Sequence, residues 1–85
     1  MAVEAPAARA LLEALVRALV DDPDSVSVED FAEDDGTVVL ELSVDEDDYG
    51  SIIGRGGRTA MALRTVVKAA AVKDRRRVFV DIVDD

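Results

Sequence analysis

A glycine-rich turn is the feature that most constrains the fold of this 85-residue chain. The turn runs from Gly54 to Gly57, follows an apolar pair at 52–53, contains Arg55, and precedes a helical pattern that begins at Arg58. Glycine adopts positive φ at little cost and lets another molecule approach the backbone closely. Free N–H groups at the start of a helix favour negative charge, so the turn predicts a site for phosphate.

The charge of the chain is strongly segregated. A net charge of -9 argues against a general affinity for nucleic acid, because phosphate contacts dominate such binding. Residues 1–50 carry two basic and fifteen acidic residues, whereas residues 51–77 carry eight basic residues and one acidic residue. Eight of the ten basic residues therefore lie in the segment that contains the glycine turn. They could form an anion-binding surface or simply a face exposed to solvent.

The composition restricts the classes of function. The chain contains no cysteine and no histidine, which excludes disulfides, thiol nucleophiles, imidazole bases and nearly all zinc sites. With no credible nucleophile pair, we expect no enzyme, no cofactor and no metal. Eighty-five residues predict one small domain over 1–85, in which we expect 1–5 to be disordered. No apolar run approaches the roughly 20 residues that span a bilayer and no signal peptide is visible, so we expect a cytoplasmic protein.

Apolar periodicity predicts the order α-β-β-α-α-β. The predicted elements are a helix from about Pro6 to Val20, strands near Ser25 to Phe31 and Thr37 to Val44, a short helix capped by Asp45 and ending at Gly54, a helix from about Arg58 to Lys73, and a strand from Val78 to Val83. The predicted buried stripes are Ala8, Leu11, Leu12, Leu15, Val16 and Leu19 in the first helix, and Ala60, Leu63, Val67 and Ala70 in the last. We therefore expect an α+β fold with a three-stranded sheet covered by three helices.

Spacing removes the common nucleotide-binding motifs. A P-loop needs Gly, four residues, Gly, Lys and Ser or Thr, and no such string exists in the chain. A dinucleotide fingerprint needs a third glycine where this chain has Thr59, and it needs a strand before the turn. What remains is Gly-x-x-Gly between two helices, the loop with which KH domains clamp the backbone of about four nucleotides. The alternative to an RNA-binding loop is a corner between two helices that needs glycine only for its backbone geometry.

The acidic run at 45–48 raises the possibility of a metal site. An EF-hand loop beginning at Asp45 would need an oxygen ligand at Tyr49 and a glutamate at Gly56, and both requirements fail. Carboxylates at a helix N-terminus explain the run better, since they complement the positive end of the helix dipole.

The stretch YGSIIGRGGRTAMALRTVV, from Tyr49 to Val67, resembles the core signature of the small bacterial KH-domain proteins of the KhpA type. The likeness extends over nearly the whole chain. It implies a type II KH domain that binds single-stranded RNA in the bacterial cytoplasm, as an RNA chaperone or post-transcriptional regulator. It also implies a homodimer or a partner of the KhpB (Jag) type. The alternative is a KH-fold protein-interaction module that acts mainly through its dimer or partner, as the acidic residues 1–50 and the small core would allow.

The resemblance also implies which residues bind RNA. They are Ile53, Gly54, Arg55, Gly56, Gly57, Arg58 and Thr59. From its place in the basic segment we also expect Arg64 to bind RNA, as an extension of the positive track. The turn would clamp the RNA backbone, and Ile53 and Ala60 would line the floor of an apolar groove. Many KH loops carry larger polar residues at both variable positions, so Gly56 predicts weaker binding, with Arg58 compensating. Aromatic residues make up only 4% of the chain, which excludes stacking platforms of the RRM kind. Whether Lys68 and 75–77 extend the basic track stays open.

Overall fold

The computed structural model describes residues 4–84 and has the predicted element order. Its helices are α1 (Pro6–Leu19), α2 (Glu46–Ile53) and α3 (Arg58–Asp74), and its strands are β1 (Ser27–Ala32), β2 (Val38–Ser43) and β3 (Val78–Ile82). Short 3-10 turns occupy Pro23–Ser25 and Arg55–Gly57. The α+β prediction is confirmed. The first strand begins two residues later than expected because Pro23–Ser25 forms a turn.

The three strands form one mixed sheet in the order β1-β2-β3. β1 and β2 are antiparallel and are joined by a tight turn in which Gly36 has a φ of 88°. In that turn the Asp35 carboxylate accepts the backbone N–H of Thr37 at 2.9 Å, and this bond holds the pKa of Asp35 below its ordinary value. β2 and β3 are parallel, so the chain must cross over between them. The crossover is the pair α2 and α3 with the glycine turn between them.

The core lies between the inner face of the sheet and the helices. Its largest fully buried side chains are Leu12, Leu40, Leu42, Ile52, Val16, Val38, Val67 and Val80. The predicted stripe of α1 is wrong at Leu19, which is 51% exposed, since α1 ends there without a neighbour covering that side chain. In α3 the last fully buried residue is Ala71 rather than Ala70, because Ala71 follows Val67 by one helical turn on the same face.

Two aspartates join elements that are distant in the sequence. Asp74, the last residue of α3, accepts the backbone N–H groups of Ala7 and Ala8 at 2.9 and 3.0 Å and so caps the start of α1. Asp48 is 4% exposed and accepts the N–H groups of residues 21 and 22 at 3.0 and 3.1 Å. Of the acidic run at 45–48, Asp45 caps α2 as predicted, while Asp48 has this second role. Both ends of α1 are therefore tied to the crossover helices.

An arginine fastens the outer side of α1 to the sheet. Arg9 forms ion pairs with Glu13, one turn later, and with Asp30 on β1, and it donates to the carbonyl of Val28. The hydrogen bond that Arg9 donates to the Glu13 carboxylate is the main reason that the pKa of Arg9 is raised. Glu13 also pairs with Arg17, so ion pairs at a spacing of four residues run along this helix face and extend to β1 through Arg9.

The start of the chain differs in part from the expectation of disorder at residues 1–5. Residues 1–3 lie outside the described range. Ala5 is fully buried, and the N–H of Glu4 donates to Asp30 at 3.0 Å. In the described residues no helix is both long and apolar enough to cross a membrane.

Candidate nucleic-acid interface

The glycine turn makes a sharp corner between α2 and α3. Gly54 ends α2 with φ 77° and ψ 171°, a region that is essentially restricted to glycine. A Cβ atom at Gly54 would lie 2.3 Å from Oγ1 and 2.8 Å from the backbone nitrogen of Thr59. Gly56 and Gly57 are left-handed, with φ of 63° and 78°, and face open space. The corner therefore needs glycine at Gly54 for both conformation and space, and at the other two positions for conformation.

The turn presents unpaired backbone donors. The ladder of α2 ends with the bond from Gly54 to Gly50, and no local hydrogen bond spans Gly54, so within residues 4–84 the N–H groups of Arg55 and Gly56 have no acceptor. Gly57 is bonded to the carbonyl of Gly54 at 3.1 Å, which fixes the direction of its neighbours. α3 begins immediately after the turn and is 17 residues long, so the positive end of its dipole lies beside these donors. This arrangement suits a phosphate or another anion.

Two cationic side chains flank these donors. Arg55 and Arg58 are exposed, and neither forms a salt bridge within the described part of the chain. Guanidinium groups form charge-assisted and often bidentate hydrogen bonds with phosphate. The structure thus brings together two backbone donors, a helix N-terminus and two free arginines within five consecutive residues.

The apolar residues expected at the groove floor are less available than predicted. Ile53 is half-buried and packs against the core with part of its surface free. Ala60 is 2% exposed, so the expectation that it lines a groove is wrong: its position on α3 faces the core, in line with Leu63 and Val67. Thr59 is half-buried, and its side chain packs against Gly54.

Arg64 connects the turn side of α3 with the edge strand. Its Nε donates to the backbone carbonyl of Val80 at 3.1 Å, and its guanidinium carbon lies 5.8 Å from the centre of the Phe79 ring. That distance is within reach of a cation–π contact. Arg64 therefore lies where α3 meets the free edge of β3. The contribution of Phe79 was not anticipated, because a strand pattern does not show which helical side chain will reach it.

The basic loop at 75–77 lies at the other end of α3. The helix places it about 25 Å from the glycine turn, at 1.5 Å per residue. Arg76 forms an ion pair with Glu4, and Arg75 has a left-handed φ of 56° that ends the helix. The loop is thus part of the end of α3 that caps α1 and is remote from the turn.

The carboxylates of the described residues form neither a metal site nor an ion pair at the turn. Among residues 4–84, no group of three or more His, Cys, Asp or Glu side chains is placed to hold a metal ion. The acidic run at 45–48 is used at the start of α2, where Asp45 accepts the N–H of Asp47 at 2.9 Å. Within residues 4–84, no carboxylate forms a salt bridge with Arg55 or Arg58, so both arginines are available to an anion at the turn.

Comparison with known proteins places the chain among bacterial KH proteins. Residues 9–82 match the family described as "KhpA/KhpB, KH domain". An RNA-binding protein KhpA from Halalkalibacterium halodurans is 53% identical over 77 residues, which are 89% of this chain and 99% of the relative. The KhpA proteins of Clostridium acetobutylicum and Mycobacterium bovis are each 48% identical over 73 residues, 86% of this chain, covering 96% and 86% of those relatives.

A solved structure has a similar fold. It is the crystal structure of Era in complex with MgGDPNP and nucleotides 1506–1542 of 16S ribosomal RNA. The TM-score is 0.59 and the identity 21%, over 88% of this chain and 28% of that one. At this identity the likeness shows the fold alone.

Proposed function

The chain belongs to the KhpA/KhpB family of KH domains, and from that premise we propose that it binds single-stranded RNA by holding the RNA backbone at the turn Gly54–Gly57. The observation that carries this proposal is the pair of unbonded N–H groups of Arg55 and Gly56 at the start of α3. We assign the whole of 1–85 to one KH domain, with a role as a cytoplasmic RNA chaperone or post-transcriptional regulator.

The binding mode follows from the geometry of the turn. The N–H groups of Arg55 and Gly56 and the positive end of α3 meet the phosphates, and the two guanidinium groups of Arg55 and Arg58 add charge-assisted bonds. Gly56 carries no side chain, so it adds nothing beyond its backbone donor. Arg58, next to the turn, compensates in part for the phosphate contact that a side chain at position 56 would have made. Gly54 and Gly57 act by shaping the corner rather than through side chains.

The bases extend from the turn along the flank of α3 towards β3. Ile53 offers apolar surface next to the turn, and Thr59 supports the corner from the first turn of α3. Arg64 marks the far side of this surface, where its guanidinium is held by Val80 and Phe79. A guanidinium held in this way is available to stack on a base or to meet a further phosphate without losing much conformational freedom.

The test is RNA binding by an Arg55→Asp/Gly56→Asp double variant. Asp tolerates the left-handed conformation of position 56 better than most residues, and a Cβ there meets open space, so the variant should fold. The matched control is Arg17→Asp/Gly36→Asp, which changes the charge equally and also replaces a positive-φ glycine with open space around it. We expect the first variant to lose most of its affinity for a single-stranded RNA and the control to keep it. Equal affinities for both would remove the proposal.

The chain also has an exposed apolar surface that favours the formation of a dimer. Met61 and Val66 on α3 are 65% and 45% exposed, and Leu19 at the end of α1 is 51% exposed. Leu19, Ala62 and Val66 line a shallow apolar depression between the two helices. Met61, Ala62 and Val66 line a second one along α3, beside Arg58. We propose that this surface joins two copies of the chain, or one copy and a KhpB-type partner, and that linking two glycine turns raises avidity for RNA.

Solution mass separates the dimer from the RNA-binding function. A Met61→Lys/Val66→Lys variant should sediment as a monomer at concentrations where the wild-type chain is a dimer. The single RNA site should survive in the monomer, with lower avidity for long RNA. If the variant and the wild type have the same mass, the dimer surface lies elsewhere. If both form dimers and neither binds RNA, the chain is an interaction module.

A further inference from the structure

Both phenylalanines of the chain lie on the side of the sheet that the helices leave uncovered. Phe31 on β1 is paired with Val39 on β2, which is paired in turn with Phe79 on β3, so the three side chains form one row across the sheet. The rings are 48% and 47% exposed. The row spans two inter-strand spacings, about 10 Å between the outer strands. An aliphatic core thus coexists with exposed aromatic residues grouped at one place, which marks an interaction surface better than scattered apolar residues do.

A row of carboxylates crosses the sheet beside these rings. Glu29, Glu41 and Asp81 are paired across the three strands in the same register, two residues along each strand from the phenylalanine row. Because side chains alternate between faces, they lie on the same face as the phenylalanines. Like charges directly opposite each other destabilise a sheet. Within residues 4–84 none of the three carboxylates forms a salt bridge. We call the surface made by Phe31, Val39, Phe79, Glu29, Glu41 and Asp81 the outer sheet face.

The combination of rings and carboxylates selects the occupant by charge complementarity. RNA is disfavoured because its phosphates would meet three carboxylates. A second copy packed symmetrically would present this same acidic surface to itself, since a two-fold interface joins identical patches. A polypeptide with lysine or arginine beside apolar side chains satisfies both rows at once, because its cations meet the carboxylates while its apolar groups cover the rings.

We propose that the outer sheet face docks a basic, partly apolar polypeptide segment of another protein. The surface is separate from the glycine turn and from the exposed apolar surface of α1 and α3, and it meets the proposed RNA surface only at Phe79, whose ring contacts Arg64. The chain can therefore hold RNA at the turn and such a segment on the sheet together. The apolar row provides the buried contact, and the carboxylate row provides register and selectivity for cations.

The direct test is a titration of the ¹⁵N-labelled full chain with synthetic 12-residue peptides, followed by amide chemical shifts. The probe peptide alternates lysine and leucine. One control peptide has glutamate in place of lysine, and the other has serine in place of leucine. We expect the probe to shift amides on the three strands around Glu29, Glu41 and Asp81, with little effect at the glycine turn. The glutamate peptide should not bind, and the serine peptide should bind more weakly.

Variants locate the interaction on the proposed surface. Glu29→Gln/Glu41→Gln should weaken the probe peptide roughly fivefold, as the loss of two exposed charge pairs predicts. Asp34→Asn/Asp47→Asn removes two exposed carboxylates elsewhere and should leave affinity unchanged. Phe31→Ser tests the apolar row without touching the Arg64 contact at Phe79, and should also weaken binding. Thermal unfolding of each variant verifies that it is folded, and the glutamine pair should be no less stable than the wild type because it relieves opposed charges.

Several results would overturn the proposal. One is that Glu29→Gln/Glu41→Gln and Asp34→Asn/Asp47→Asn lose the same amount of affinity for the probe peptide. Another is that the probe peptide shifts amides mainly on the helices or at the glycine turn. The proposal also fails if the glutamate peptide binds as tightly as the probe peptide, or if the probe peptide does not bind at all. Shifts of the strand amides by a single-stranded RNA would assign the surface to nucleic acid. Concentration-dependent shifts of these amides in the chain alone would assign it to a second copy.

Discussion

Replacing Gly54 by alanine should cost more stability than any other single alanine substitution in the turn. The backbone at Gly54 has φ 77° and ψ 171°, and residues other than glycine held in such regions cost about 1–3 kcal/mol. The added Cβ would also lie 2.3 Å from Oγ1 and 2.8 Å from the backbone nitrogen of Thr59. Rotation of the Thr59 side chain relieves only the first contact. Overpacking of this kind costs about 1–3 kcal/mol more, so the total is about 2–6 kcal/mol.

Two other glycines provide matched comparisons. Gly56 has a left-handed φ of 63° but open space around it, so Gly56→Ala should cost only about 1–2 kcal/mol. Gly50 lies inside α2 with no atom within 4 Å of an added Cβ, so Gly50→Ala should stabilise the chain by about 0.5–1 kcal/mol. From most to least stable, the expected order is Gly50→Ala, wild type, Gly56→Ala and Gly54→Ala.

Urea unfolding at equilibrium measures this order. A chain of this length has a total stability of about 4–13 kcal/mol, so the loss at Gly54 is a large fraction of it. With an m-value of about 1 kcal/mol/M, a loss of 3 kcal/mol lowers the midpoint by about 3 M urea. Equal midpoints for Gly54→Ala and Gly56→Ala would contradict this prediction, because they would show that the contact with Thr59 does not restrain the corner.

Three further predictions concern single side chains. Asp48→Ala should destabilise the chain by about 1–3 kcal/mol, because it leaves two backbone N–H groups without their buried acceptor. Asp47→Ala, on the exposed side of α2, should cost much less. Urea midpoints compare the two variants, and equal losses of stability would exclude the capping role of Asp48. The pKa of Asp35, measured by NMR, should lie below its ordinary value of 3.8, because the backbone N–H of Thr37 donates to the charged carboxylate. The stabilising effect of this hydrogen bond is therefore present at neutral pH and is lost as the pH falls through the lowered pKa. A raised pKa would contradict this prediction. Arg58→Ala should weaken RNA binding and make the plot of log affinity against log salt less steep by about one phosphate contact, and an unchanged slope would mean that Arg58 meets no phosphate.

The order of elements could be predicted because each signal is local. The apolar period of α1 and α3, the turn at Gly36 and the corner at Gly54 are all set by residues close to each other in the sequence, and the structure agrees with them. The family resemblance rested on the same local stretch around the turn, and comparison confirms it. The assignment of individual residues to RNA stays a prediction.

The features that sequence reasoning missed depend on contacts between distant residues. The run at 45–48 predicts carboxylates at a helix N-terminus, but Asp48 accepts two backbone N–H groups more than 20 residues away, and Asp74, which no local pattern singles out, does the same. Ala60 was placed in the groove although its helical phase turns it to the core. The alignment of Phe31 with Phe79 depends on strand register across β2, which the alternation within a single strand does not contain.

The most direct test of the central claim is an NMR titration of the ¹⁵N-labelled chain with a short single-stranded RNA. We expect the largest amide shifts at Arg55 and Gly56, whose N–H groups have no acceptor in the described residues, and smaller shifts in the first turn of α3. The shifts should diminish as salt is raised. Shifts that spare Arg55 and Gly56 while RNA binds elsewhere would contradict the claim that this turn holds the RNA backbone.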